Sequence, residues 1–121
     1  MNERLVAYSL SIMDPAESAL GASVWLGMLP FGGTLVYASA APHENDSAAT
    51  IDIQDDGTDI VTAIACATAG TPGEWISTHC GGAETPVAIA AGSELEIDAN
   101  SVAATTRLDI VMLFLTGETW G

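Results

Sequence analysis

Two stretches bring carboxylates together at spacings that could do chemistry. The first, Asp52-Ile53-Gln54-Asp55-Asp56-Gly57-Thr58-Asp59, has the density of oxygen donors that a hard cation such as calcium takes from a short loop. Its register fails for the helix–loop–helix calcium motif, because counting from Asp52 puts Gln54 at the third position and Ala63 where a bidentate glutamate belongs. A solvated hairpin tip accounts for the same residues, since Asp-Gly supplies the positive φ that a tight hairpin turn needs. The second stretch sets Glu94, Glu96 and Asp98 on one face of a strand. Their spacing of roughly 6–7 Å would let two of them flank a glycosidic bond or a cation. With Leu95 and Ile97 between them, the pattern is also that of an ordinary half-exposed strand, and that reading is preferred.

The other chemistry-bearing residues are few. His43 and His79 are the only histidines. His79 would need metal partners from elsewhere in the chain, and a cupin-like set of two histidines and a glutamate is missing. His43 falls in a turn-rich loop. Cys66 and Cys80 are too far apart for a CxxC pair. They could form one bridge, but a cytoplasmic protein would keep them reduced, and the simplest expectation is two buried small hydrophobes. There is no Gly-x-Ser-x-Gly, no phosphate-binding glycine loop and no lysine to act as base or Schiff-base former. The chain is therefore expected to be no enzyme and to carry no cofactor or catalytic metal. Trp25 and Trp75, with Glu94 and Glu96, make the alternative of a sugar-binding face. Trp120, one residue from the C-terminus, is expected to dock on a partner.

The elements that must position these residues follow from periodicity. The dominant one is residues 107–116, Arg-Leu-Asp-Ile-Val-Met-Leu-Phe-Leu-Thr. Leu108, Ile110, Met112 and Phe114 point one way, and Val111, Leu113 and Leu115 the other. One face should enter the domain core and the other should be covered by a sheet, a loop or another subunit. Further strands are expected over residues 4–13, 22–29, 34–41, 50–54, 59–62, 86–90 and 94–98, with a short segment around Trp75 and Ile76. Pro15 to Leu20 would make one helical turn capped by Asp14. Residues 63–69 either continue a strand or curl into a short helix. The polar loop Pro42-His43-Glu44-Asn45-Asp46-Ser47 is expected at the surface. About eight strands separated by turns define an all-β class, a small antiparallel β-sandwich or jelly roll.

At 121 residues, with 49% apolar but only 6% aromatic residues, the chain suits a single domain of light side chains in many short strands. Sixteen acidic residues face two basic ones, Arg4 and Arg107, for a net charge of -14. That charge repels phosphates and anionic lipid, so neither nucleic acid nor membrane is an expected partner. The N-terminus lacks the basic cluster of a signal peptide, and no apolar run approaches the roughly 20 residues of a membrane span. Synthesis and folding in a cytoplasm are expected.

Three segments resemble a known family when read together. They are Val24-Trp25-Leu26-Gly27-Met28-Leu29-Pro30-Phe31-Gly32-Gly33-Thr34-Leu35-Val36-Tyr37-Ala38-Ser39, Ala49-Thr50-Ile51-Asp52-Ile53-Gln54-Asp55-Asp56-Gly57-Thr58, and Val87-Ala88-Ile89-Ala90-Ala91-Gly92-Ser93-Glu94-Leu95-Glu96-Ile97-Asp98. In order and spacing this series resembles the small jelly-roll modules of tailed-bacteriophage structural proteins, over roughly residues 22–117. Such modules serve as capsid decoration (cement) proteins, usually trimers on the capsid lattice, and as domains of fibre and tail proteins. The chain departs from the usual module in its short loop at 42–47, its cysteine-bearing region at 66–82 and its N-terminal segment of about 20 residues.

The resemblance implies a virion protein on the capsid surface, made in the host cytoplasm, that binds the major capsid protein and itself, as a homotrimer. On that reading residues 1–20 form an N-terminal strand or arm with Arg4, Leu5 and Tyr8 against the capsid or a neighbouring subunit, and residues 21–121 form the jelly-roll domain. Val111, Leu113, Leu115 and Trp120 would lie in the subunit interface. The alternative is a carbohydrate- or receptor-binding module of a fibre or tail.

Overall fold

The computed structural model describes residues 2–13, 23–28 and 32–118, with side-chain surroundings over 4–13 and 32–116. The expected helical turn at 15–20 and Trp120 lie outside the described residues, as does the side chain of Trp25. Nine strands are described: β1 (Asn2–Met13), β2 (Ser23–Met28), β3 (Gly33–Pro42), β4 (Thr50–Asp55), β5 (Thr58–Ala65), β6 (Gly73–Ile76), β7 (Val87–Ile89), β8 (Glu94–Asn100) and β9 (Arg107–Glu118). Among the described residues one 3-10 turn is present, over Thr78–Cys80. The strands form two antiparallel sheets. Sheet A runs β1-β9-β3-β6 with β7 also on β3, and sheet B runs β2-β8-β4-β5. The fold is an antiparallel β-sandwich, as the alternating segments lead one to expect.

β9 lies inside sheet A, between β1 and β3. Its alternation is the one read from the sequence. Leu108, Ile110, Met112 and Phe114 are fully buried, while Val111, Leu113 and Leu115 are half-buried on the opposite face. Facing β9 across the core are Ile51 and Ile53 of β4 and Leu95 and Ile97 of β8, all at 4% exposure or less. Burial of each such large side chain contributes about 1.5–3 kcal/mol.

Two irregularities explain what simple alternation does not. Residues 63–69 are ambiguous in sequence because β5 carries a bulge there. Ile51 pairs with Ile64 and Ile53 with Val61, so Thr62 and Ala63 together oppose Asp52. Ala63 takes a positive φ of 57°, its N–H donates to Asp52 Oδ1 at 2.7 Å, and both Val61 and Ile64 turn inward. The strand then ends at Ala65. The second bulge, between Leu35 and Tyr37 in β3, buries the consecutive pair Leu35 and Val36. The Asp56-Gly57 hairpin turn is as expected, with φ of 50° and 83°.

The two ends of the sandwich differ. Where β5 meets β6, the backbones come so close that a Cβ on Gly73 would collide with the Ala65 carbonyl; only glycine fits. At the other end β1 touches β9 and no other strand to a comparable degree. Val6 and Tyr8 point to the core side of sheet A yet remain 37% and 39% exposed. Tyr8 is held edge-on against Phe114, with ring centroids 5.8 Å apart at 85°.

Candidate interaction surface

Residues directly opposed in an antiparallel pair share a face, so the strand registers lay out the outer surface of sheet A. One row runs Ala7, Leu113, Tyr37, Ile76. The rows on either side run Leu5, Leu115, Thr34 and Ser9, Val111, Ser39, Glu74. The three β9 residues expected to meet a neighbouring subunit thus form the centre of one apolar surface, and Leu5 joins them. Charge on this surface is neutralised or tied down. Arg107 pairs with Asp109 at 3.3 Å, and Ser11 Oγ donates to Asp109 Oδ1 at 2.6 Å. Tyr37 donates its hydroxyl to Glu74 Oε2 at 2.6 Å. Partial burial, with this bond to the carboxylate, raises the Tyr37 pKa.

The outer surface of sheet B is the electrostatic opposite. Asp52 lies opposite Asp98, and Gln54 opposite Glu96. Asp59 accepts from Gln54 Nε2 at 2.9 Å. The Asp98 pKa is raised first by burial and then by the charges of Asp52, Asp59 and Glu96. Glu94, Glu96 and Asp98 do share the outward face, with Leu95 and Ile97 inward. Of the neighbouring carboxylates, those of Asp52, Asp56 and Asp59 are hydrogen-bonded within the chain. Asp52 also accepts from Asn100 Nδ2 at 3.1 Å, and Asp56 Oδ1 accepts from the Glu94 N–H at 2.8 Å. Among the described residues no group of His, Cys, Asp and Glu could hold a metal ion.

The residues of the alternative sugar site fall on different sheets. Trp25 of β2 lies at the register position opposite Glu96 in sheet B. Trp75 belongs to β6 of sheet A, opposite the inward-facing Ala38, and packs on the core. Part of it lines a groove of about 380 Å³ between β5 and β6, with Thr62, Glu74 and Glu84 also on its walls.

In the polar loop after β3, His43, Asn45 and Ser47 are exposed as expected, but Asp46 turns inward. Asp46 is 5% exposed, and its Oδ2 accepts from the N–H groups of Ala103, Ala104 and Thr105 at 2.9, 2.9 and 3.2 Å. Burial opposes the charge, but the three backbone donors outweigh it and hold the carboxyl below its ordinary range. Glu44 accepts from the Thr106 N–H at 2.6 Å and the Thr106 hydroxyl at 2.9 Å, and its pKa is lowered by those two bonds in that order. Together these side chains clamp the segment that leads into β9. No motif announces them in the sequence, which shows only two acids in a short loop and, far along the chain, the light segment Ser101 to Thr106.

Arg4, Leu5 and Tyr8 of the expected arm all lie on β1, each exposed. His43 and His79 are exposed, and the His43 N–H donates to Thr105 Oγ1 at 3.0 Å. The cysteines correct the expectation of two buried thiols. Cys66 is buried and its pKa is pushed up to about 11 by burial, whereas Cys80, at the end of the 3-10 turn, is exposed. Both are free thiols.

No protein-family model matches the chain, and no curated protein matches its sequence. Among solved structures it is similar to a chain of the cyanophage Pam1 capsid asymmetric unit, with a TM-score of 0.57 and 14% sequence identity over 96% of this chain and 86% of that one. At that identity the likeness is one of fold. The fold the two chains share is an antiparallel β-sandwich.

Proposed function

We propose that this chain is a non-enzymatic structural protein of a tailed-phage virion, a head decoration protein that binds the outer surface of the capsid through the major capsid protein and stabilises it as a homotrimer. The observation that carries this reading is the apolar outer surface of sheet A, built around Val111, Leu113 and Leu115, on a chain whose net charge is -14. Acidic charge opposes approach of a second copy, and it opposes it least around Leu113, where Asp109 is paired with Arg107 and the Glu74 charge lies out at the β6 edge. The fold shared with a chain of a phage capsid supports the virion setting. The carboxylate-rich regions are used to hold strands and loops together, consistent with a structural role.

The test is Leu113→Asp, which puts a charge at the centre of the surface. Light scattering should show the oligomer of the unmodified chain converted to monomer. An unchanged mass would reject sheet A as the interface. The groove beside Trp75 favours one second reading, a carbohydrate- or receptor-binding module of a fibre or tail, and retention of a defined sugar on a glycan array would support it.

A further inference from the structure

The outer surface of sheet A is too small to hold an assembly by itself. Its three rows across four strands cover on the order of 300–400 Å², against about 800 Å² per partner in a stable interface. Further contact must come from elsewhere, and β1 has the properties to provide it. The large hydrophobic side chains that are exposed among the described residues, Leu5, Val6, Tyr8 and Met13, all lie on this strand. They point to both faces of the sheet. From Arg4 to Met13 the strand bears one charge, Arg4, and no acid.

β1 is attached to its own domain chiefly through one strand, β9. It pairs with β9 alone, in an uninterrupted register from Asn2↔Glu118 to Met13↔Arg107. Its one fully buried side chain among those described is Ile12, near its end. The next strand, β2, belongs to the other sheet. Residues 14–22 join Met13 to Ser23, and a chain of that length reaches up to about 33 Å. That is roughly three times the separation of two stacked sheets, so β1 can sit on a β9 other than its own. The free edge has no proline, lysine or bulge to protect it, which leaves a long apolar edge strand open to pairing.

We infer that β1 is exchanged between copies: in the assembled protein each β1 leaves its own β9 and takes the same twelve-residue register on β9 of a neighbour. The occupant of the surface is a second copy of this chain. Head-to-tail exchange closes into a ring without adding an acidic contact, and a strand about 40 Å long contributes on the order of a further 400 Å² on each side. The inference rests on the self-association in the proposed function.

Ser9 and Val111 are directly opposed on the outer face, so a cysteine at each position reports which β9 a given β1 occupies. In a Cys80→Ser background, one batch of chain carries Ser9→Cys and another Val111→Cys. The two are unfolded, mixed, refolded together and oxidised. Exchange predicts a cross-link between the two chains at twice the 12.4 kDa chain mass, and a closed covalent ring when both cysteines are in one chain. The doubly substituted chain running at single-chain mass with its thiols consumed, while light scattering still shows an oligomer, would overturn exchange and leave self-association standing. Cross-linking of Ser9→Cys to itself alone would overturn it in favour of edge-to-edge pairing. A monomeric mass for the unmodified chain would overturn both the exchange and the self-association it rests on.

Discussion

Replacing Asp46 by alanine removes one carboxylate oxygen that accepts from three backbone N–H groups. Ala103 and Ala104 are exposed, so water can take over those donors at small cost, whereas Thr105 is 2% exposed and keeps its N–H in the interior. Leaving one buried donor unpaired costs about 1–3 kcal/mol, and losing the charge-assisted bonds to the other two adds to it. A total of roughly 2–3 kcal/mol corresponds to a fall in Tm of about 6–15 °C for a domain of this size. The sign of the pH dependence follows from the lowered folded-state pKa, which lies below the ordinary 3.8. The clamp's contribution is therefore fully present above about pH 5 and is lost as pH falls through the folded value. Thermal melts from pH 7 down to pH 3 should show the unmodified chain losing its advantage over Asp46→Ala in the acid limb, with Asp46→Asn intermediate at neutral pH. A change in Tm under 2 °C, or a constant gap across the whole range, would refute the clamp.

Asp98 carries the opposite sign. Its pKa is raised by burial and by Asp52, Asp59 and Glu96, so its charge costs stability at neutral pH and relief comes as pH falls; Asp98→Asn should stabilise by about 0.2–1 kcal/mol at pH 7 in low salt, and a loss of stability would contradict the cross-strand repulsion with Asp52. Neighbouring residues on β9 should respond in contrasting ways: Leu113→Asp leaves the fold intact by circular dichroism while changing the assembly, whereas Phe114→Asp, at a position with 0% exposure, abolishes folding.

Most of the strand framework is legible in the sequence because period-two alternation is a direct record of a half-buried sheet. Residues 107–116 and Glu94 to Asp98 show both faces correctly, and Asp56-Gly57 shows its turn. The alternation stops being readable where a bulge places two residues against one, as at Thr62 and Ala63, since local spacing then carries no face. Tertiary hydrogen bonds are invisible for a related reason. Asp46 reads as a loop acid, and only the fold brings the backbone of residues 103–105 to it across a sequence separation of 57 to 59 residues. Cys80 likewise has the composition of a core residue, and its place after the turn at Thr78 puts it in solvent. The apolar outer surface of sheet A was readable as three residues of one strand. Its extension to Leu5, Ala7, Tyr37 and Ile76 required the registers with β1, β3 and β6.

The proposed decoration role puts this chain on the outside of a phage head. Immunogold electron microscopy of virions with an antibody against the chain tests it most directly. Gold spread over the capsid surface is the predicted result; gold confined to the tail, or virions without label, would contradict a decoration role.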